Sequence, residues 1–193
     1  LLDISATIER RKTMQETVRE ITKELFIPLT VGGGIKCIED MNELLRCGAD
    51  KVAINTAAIR DPKLIETASR EFGSQCIVVS IDTRKTDAGD VVFARSATNS
   101  TKLKTDEWAK KVERYGAGEI LLTSIDADGT KKGFDIEITK KVSEAAGIPI
   151  IASGGAGGKE DFYKALVEGK ADAVLAASVF HYGKIGIQEL KGY

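Results

Sequence analysis

Short apolar runs alternate along the chain with longer segments in which apolar residues recur at helical spacing. The runs are rich in β-branched residues, and their alternation with helical segments predicts a parallel sheet built from βα units. Most runs are nearly continuous, as expected when helices cover one face of the sheet and a packed interior covers the other. The predicted strands are residues 1–4, 28–31, 51–54, 76–82, 119–124, 148–152 and 171–176.

The segments between these runs carry signals for helix starts and ends. Asp61 precedes a helical segment that Gly73 would end, and Asp135 is suited to cap another helix. One irregular insert, at 85–101, follows the fourth predicted strand, and its apolar run at 91–93 predicts a small hairpin. The chain is therefore organised as successive βα units with one elaborated loop.

The chain also contains an internal repeat. A Gly-rich turn at 30–35 and the run that ends at Thr56 recur as the turn at 152–156 and the run that ends at Ser178. Because each repeat accounts for four strands, the pair predicts an α/β fold, a (β/α)8 TIM barrel built from two half-barrel repeats. The predicted strands correspond to strands 2 to 8 of such a barrel. We therefore expect residues 1–193 to form a single, incomplete (β/α) barrel domain whose first βα unit is missing.

In each half of the predicted barrel, two neighbouring strands end in residues that are suited to bind an anion. Glycines allow backbone N–H groups to converge on a phosphate, and a hydroxyl group or a helix N-terminus adds further donors. Ordinary βα turns explain either motif alone, whereas the duplication favours two phosphate sites and an elongated ligand with a phosphate at each end. The first cup consists of Gly33, Gly34, Asn55 and Thr56, and the second cup of Gly154, Gly155, Ala177 and Ser178.

Carboxylates follow the C-terminal ends of predicted strands, where barrel enzymes carry out their chemistry. Asp82 is the best general acid/base candidate, because apolar walls would raise its pKa toward neutrality; the alternative is a helix cap or a solvated rim charge. Asp126 and Asp128 follow the next strand, and either one could orient or protonate a substrate. Their spacing lacks the later ligands of a calcium loop. Further rim candidates are Asp3, Thr123 and Ser153.

Composition excludes several classes of partner. The 28 Lys and Arg residues nearly balance the 29 Asp and Glu residues, so no global field favours nucleic acid or an anionic membrane. No apolar run approaches the roughly 18 residues of a membrane span. The three cysteines are widely separated and the single histidine has no second histidine nearby, so we expect no metal, no cofactor and a cytoplasmic protein with reduced thiols.

Four segments together resemble the histidine-biosynthesis barrels, and among them the family of imidazole glycerol phosphate synthase cyclase subunits: 29–35, 48–58, 116–130 and 151–157. The resemblance implies a lyase whose bisphosphate substrate, a phosphoribulosyl-formimino aminoimidazole carboxamide ribotide, reacts with ammonia to give imidazole glycerol phosphate and aminoimidazole carboxamide ribotide. It also implies that Asp82 is a catalytic acid/base and that Asp128 assists it. The sister isomerase shares the barrel and both cups, but the runs 54–58 and 124–130 favour the cyclase. A non-catalytic, phosphate-binding barrel fragment is the other alternative.

The same resemblance implies a partner, a glutamine amidotransferase (glutaminase) subunit that docks at the N-terminal face of the barrel. Ammonia would pass from it through a ring of charged residues, two of which match Lys51 and Glu119, while Asp50 matches a residue that meets the glutaminase. Without the resemblance, charges that cap strand starts in solvent would explain these three residues. The family's catalytic aspartate on the first strand, and a lysine on the loop after it, have no counterpart in this sequence.

Overall fold

The computed structural model describes residues 1–3, 15–95 and 97–193 and shows a curled, mainly parallel sheet. Its strands are β1 (Thr30–Gly32), β2 (Lys51–Ile54), β3 (Ile77–Thr86), β4 (Gly89–Ala94), β5 (Asn99–Lys104), β6 (Glu119–Ser124), β7 (Ile150–Ser153) and β8 (Ala173–Leu175). The parallel neighbours follow the order β1-β2-β3-β6-β7-β8, and Leu2 makes a parallel bridge to Gly32 beside β1. Ile4, the last residue of the first predicted strand, lies outside the described residues. The alternation of strands and helices is consistent with a (β/α)8 barrel.

Helices connect the parallel strands and continue beyond β8. They are α1 (Gln15–Glu24), α2 (Ile38–Arg46), α3 (Thr56–Arg60), α4 (Lys63–Phe72), α5 (Thr105–Arg114), α6 (Ile136–Ala145), α7 (Lys159–Val167), α8 (Ser178–His181) and α9 (Ile187–Lys191). The predicted cap is confirmed at Asp135, whose carboxylate accepts the N–H of Ile138 at 3.3 Å. Gly73 ends α4 with a φ of 88°, as predicted. Within the described ranges, no helix is long and apolar enough to cross a membrane.

Apolar cores lie on both faces of the sheet, because successive side chains of a strand point to opposite faces. The larger core lies between the strands and the helices and includes Val79 and Trp108. A smaller cluster joins Ala53, Val78 and Leu121, which lie on the opposite face of three neighbouring strands. Two buried faces explain why the strands read as nearly continuous apolar runs in the sequence.

The inner face changes character along the strands. Lys51 and Glu119 lie on the inner face at the strand starts, two residues before the apolar layer of Ala53, Val78 and Leu121. Beyond that layer, toward the C-terminal ends, the inner face carries Asn55, Thr123 and Asp82. This order follows from the period of two residues along each strand. Charged and polar groups thus lie at opposite ends of the same strands, separated by apolar side chains.

The strand β3 is longer than predicted. Its first residues pair with β2, which ends at the pair Ile54 and Val79, and from Asp82 onward it pairs in antiparallel fashion with β4. The hydrophobic pattern predicts an end at Asp82 because the residues after it are mostly polar, whereas backbone pairing with β4 continues the strand to Thr86. The predicted hairpin is confirmed: β4 and β5 form it on the outer part of β3.

Candidate active site

The C-terminal ends of β1, β2 and β3 surround a cavity of about 900 Å³. The side chains and backbone that line it come from residues far apart in the sequence and include six of the predicted site residues. These are Asp3, Gly33, Gly34, Asn55, Thr56 and Asp82. The structure therefore brings the whole first cup and the predicted acid/base residue together in one cavity.

Asp82 is a largely buried carboxylate in this cavity. Its pKa is raised from the ordinary 3.8 to about 6, mainly because the carboxyl group is buried. The negative charge of Asp128 also raises the pKa, whereas hydrogen bonding from the side chain of Asn55 and the backbone N–H of Ala97 lowers it. The shift has the direction that the sequence predicts. A carboxyl group with a pKa near 6 can both accept and donate a proton close to neutral pH, which general acid/base chemistry requires.

Asn55 is the direct side-chain partner of Asp82. Its Nδ2 donates to the Asp82 carboxylate at 3.0 Å, and its Oδ1 is buried without a hydrogen-bond partner among the described residues. The sequence suggests only a phosphate-binding role for Asn55. The signal that was missed is its position on the inner face of β2, two residues after Ala53, beside the strand that carries Asp82. Asn55 therefore positions the carboxylate as well as lining the cup.

The two aspartates after β6 have different surroundings. The Asp126 carboxylate forms an ion pair with Arg84 at 3.2 Å and accepts the backbone N–H of Lys85 at 3.0 Å, which fastens this loop to the outer part of β3. Asp128, whose N–H donates to Ser124 at 2.9 Å, is close enough to Asp82 for its charge to act on the pKa of that carboxyl. The sequence left the choice between them open. The structure shows that Asp126 is anchored to β3 by Arg84 and Lys85, whereas the charge of Asp128 acts on the pKa of Asp82.

The second cup lies at the same end of the sheet but does not line this cavity. Gly154 and Gly155 follow β7, and Ala177 and Ser178 follow the neighbouring β8. A Cβ on Gly155 would lie 2.1 Å from the carbonyl oxygen of Gly133, and a Cβ on Gly33 would lie 2.1 Å from that of Asp3. With φ values of 105° and 101°, both positions require glycine for backbone reasons alone. Close packing thus explains these glycines whether or not a phosphate binds.

The remaining rim residues line up across the strands. Thr123 is the register partner of Asp82 on β3 and of Ser153 on β7, so three polar side chains follow one another at the C-terminal ends of β3, β6 and β7. They extend the polar rim from the first cup toward the strands that carry the second. The described residues contain no cluster of His, Cys, Asp or Glu suited to a metal ion.

An ion pair lies at the opposite end of the same strands. Lys51 and Glu119 are in contact through Nζ and Oε1, and both side chains are half-buried at the starts of β2 and β6. Asp50 accepts the backbone N–H of Leu29 at 2.7 Å beside them. The apolar layer around Ala53 separates this pair from the carboxylate end of the sheet.

Two substitutions should move the pKa of Asp82 in opposite directions. In Asn55→Ala the carboxylate loses a donor, so its pKa rises; in Asp128→Asn it loses a nearby negative charge, so its pKa falls. NMR titration of the Asp82 carboxyl carbon measures both shifts, with Asp87→Asn, in the exposed turn between β3 and β4, as the control. Shifts of the same sign in both variants would contradict this description of the site.

The chain resembles one group of known proteins throughout its length. A family described as "Histidine biosynthesis protein" matches residues 1–186. Proteins named imidazole glycerol phosphate synthase subunit HisF are 57% identical to it over 192 residues in Dehalococcoides mccartyi strain 195, 55% over 192 residues in Natranaerobius thermophilus and 53% over 196 residues in Nostoc sp. PCC 7120. Each alignment covers 100% of this chain and 76% of the relative, so the chain spans about three quarters of their length.

Proposed function

This chain belongs to the histidine biosynthesis protein family, and we propose that it catalyses the cyclase reaction of imidazole glycerol phosphate synthase. The observation that carries the proposal is a single cavity in which a buried carboxyl group with a pKa near 6 faces the first cup. The relatives' names agree with this chemistry along the whole chain. The reaction converts the phosphoribulosyl-formimino aminoimidazole carboxamide ribotide and ammonia to imidazole glycerol phosphate and aminoimidazole carboxamide ribotide.

Asp82 is the general acid/base of this reaction. Ammonia must lose protons when it forms bonds to carbon, and the oxygen and nitrogen groups that depart must gain them. A carboxyl group whose pKa lies near 6 is suited to both transfers at neutral pH. Asp128 assists from the loop after β6, where it adds negative charge beside Asp82, and Asn55 holds the Asp82 carboxylate in place.

The two cups bind the two phosphates of the substrate. The first cup lines the cavity beside Asp82, and the polar row of Thr123 and Ser153 leads from there toward the second cup. Similar backbone conformations at Gly33 and Gly155 support a duplicated architecture, in which each half-barrel supplies one cup. A substrate with a phosphate at each end matches two such cups.

We further propose that the sheet is the greater part of a single (β/α)8 barrel domain built from two half-barrels. The parallel order from β1 to β8, the matching glycine conformations and the connecting helices support it. One more parallel strand, between β8 and the Leu2 segment, would close the sheet. Closure would place both cups and Asp82 around one mouth.

The glutaminase partner docks at the N-terminal ends of the strands. The Lys51–Glu119 ion pair lies on the inner face there, in the place expected for an ammonia entrance, and Asp50 lies beside it. Phe26 and Ile27, which precede β1 at this end, are 97% and 70% exposed, and such apolar groups favour a protein partner. Free thiols at all three cysteines agree with a cytoplasmic location.

Replacing Glu119 by glutamine should impair the use of ammonia from glutamine more than the use of ammonia from added ammonium salt. The Lys51 ammonium then loses its partner and its fixed position at the strand starts, so delivery from the glutaminase becomes inefficient. We expect turnover with glutamine to fall at least about threefold, and turnover with ammonium salt to change less than about twofold. Steady-state assays of the assembled enzyme with each nitrogen source measure this, with the exposed Glu107→Gln on α5 as the control. Equal losses with both sources would argue against an ammonia entrance.

The proposed function is tested by incubating the protein with the bisphosphate substrate and ammonium salt and measuring both products. We expect them in equal amounts, with no product when ammonia is omitted. Isomerisation of an aminoaldose substrate without ammonia would instead identify the sister isomerase. Phosphate binding without turnover of either substrate would identify a non-catalytic barrel.

A further inference from the structure

The hairpin formed by β4 and β5 occupies a particular edge of β3. One edge of β3 pairs with β6 as far as Thr83. The other edge pairs with β2 only as far as Val79. The strand β4 pairs with β3 from Asp82 onward, so it must use the edge that β2 has left. The hairpin therefore continues the position of β2 beyond its end and carries its turn over the first cup.

The turn contacts the two sides of the cavity. The backbone N–H of Arg95 donates to Oγ1 of Thr56 at 2.9 Å, and the backbone N–H of Ala97 lies near enough to the carboxylate of Asp82 to lower its pKa. Arg95 and Thr98 both line the cavity. One turn thus holds a hydroxyl of the first cup and the acid/base residue at the same time.

The backbone of this turn adopts a conformation that is uncommon for its residues. Arg95 and Ala97 have φ values of 53° and 64°, in the left-handed region that favours glycine. The turn is closed by Thr98, whose N–H and Oγ1 both donate to the carbonyl oxygen of Arg95, at 3.2 and 2.7 Å. Strained residues that the surrounding contacts hold in place are concentrated at functional sites. A smaller residue than Arg95 would fit this backbone conformation better. The presence of an arginine side chain therefore needs an explanation other than the backbone conformation.

We propose that Arg95 is a further substrate-binding residue, whose guanidinium binds the phosphate held in the first cup. This inference rests on the proposed function, which supplies a phosphate at that place. Arg95 lines the cavity, and its backbone N–H is hydrogen-bonded to Thr56 of the cup. Its guanidinium forms no ion pair with any of the residues that the structure describes. Guanidinium groups bind phosphate through two parallel hydrogen bonds, so an unpaired arginine beside an anion cup is suited to that ligand.

The contact with Thr56 supports the same conclusion. Because Oγ1 of Thr56 accepts the Arg95 N–H, the hydroxyl hydrogen is left to donate in another direction, and the cavity is next to it. The cavity also contains the carboxylates of Asp3 and Asp82, which repel a dianion. Lys36 and Arg60 are further cations at the wall, and the Arg95 backbone donates to the side-chain hydroxyl of Thr56 in the cup. A cation at this point offsets the repulsion where the phosphate must bind.

Titration of the ¹⁵N-labelled protein with inorganic phosphate tests the proposal, because amide shifts report each cup separately. In Arg95→Gln we expect the Kd read from the amides of Gly34 and Thr56 to rise about tenfold. The Kd read from Ser178 in the second cup should stay within about twofold of that of the unmodified protein. Arg114→Gln, an exposed residue at the end of α5, removes the same charge from the outside and should leave both values unchanged.

Two further measurements separate charge from fold. Arg95→Lys, which keeps the charge, should recover part of the lost affinity, and the phosphate affinity of Arg95→Gln should depend less steeply on salt than that of the unmodified protein. An unchanged Kd at the first cup in Arg95→Gln overturns this inference and leaves the cup intact. Absence of phosphate binding at Gly34 and Thr56 in the unmodified protein overturns the cup itself, and the inference with it.

Discussion

Replacement of Asp82 by asparagine is expected to lower kcat by at least about 10²-fold and to leave KM within a few fold. Asparagine has nearly the same shape and can still accept the hydrogen bond from Nδ2 of Asn55, so the cavity keeps its form. What is lost is the proton that the carboxyl group exchanges in the transition state. An acid/base residue contributes there and adds little to binding of the ground state.

The measurement is a steady-state assay of the enzyme with ammonium salt, and the pH dependence of kcat/KM gives a second readout. The unmodified enzyme should show an apparent pKa near 6 on the acidic side, and Asp82→Asn should lack that limb. Asp87→Asn makes the same change of charge in the exposed turn between β3 and β4 and serves as the control. Near-normal turnover in Asp82→Asn would remove Asp82 from the mechanism.

The same substitution is expected to stabilise the protein at alkaline pH. Burial raises the pKa of Asp82 from 3.8 to about 6, so the folded state binds the proton more tightly than the unfolded chain does. The associated stability is fully present below about pH 4 and is lost as the pH rises through 6, where the buried carboxyl group becomes charged. A shift of this size corresponds to about 3 kcal/mol, as an order of magnitude. Asparagine carries no charge at any pH and avoids the loss.

Urea unfolding of both proteins between pH 4 and pH 8 measures this effect. The difference in unfolding free energy, Asp82→Asn minus the unmodified protein, should grow by about 3 kcal/mol across the interval, because contributions from other groups cancel in the difference. In Asp87→Asn the corresponding difference should stay nearly constant. A difference that does not change with pH in Asp82→Asn would show that the carboxyl group is not held in an unfavourable environment.

Together these expectations describe a group that the fold keeps at a cost in stability. The apolar layer below Asp82 and the strands beside it exclude water from the carboxyl group. Hydrogen bonding from Asn55 and Ala97 offsets only part of the free energy that ionisation of the buried group costs. The proposed acid/base role would explain why a carboxylate occupies the position. A mutation that improves stability while it abolishes turnover would be direct evidence of this relation.

Local patterns in the sequence predict where most strands and helices lie and much of the architecture. The strands at Lys51–Ile54 and Glu119–Ser124 have the predicted bounds, the cap at Asp135 is present, and the hairpin lies where the insert predicts it. These features depend on hydrophobic periodicity and on local backbone preferences, both of which are determined by residues close together in the sequence. The family resemblance, which rests on four short segments of consecutive residues, likewise needed no coordinates.

Which polar groups meet depends on the tertiary structure. The partnership of Asn55 with Asp82, the anchoring of Asp126 by Arg84 and the placement of Arg95 over the first cup each join residues from separate elements. Hydrophobic periodicity reports whether a side chain is buried, whereas a hydrogen bond depends on strand register and on the path of a loop. Those are fixed by the packing of the whole sheet, so no local pattern in the sequence contains them.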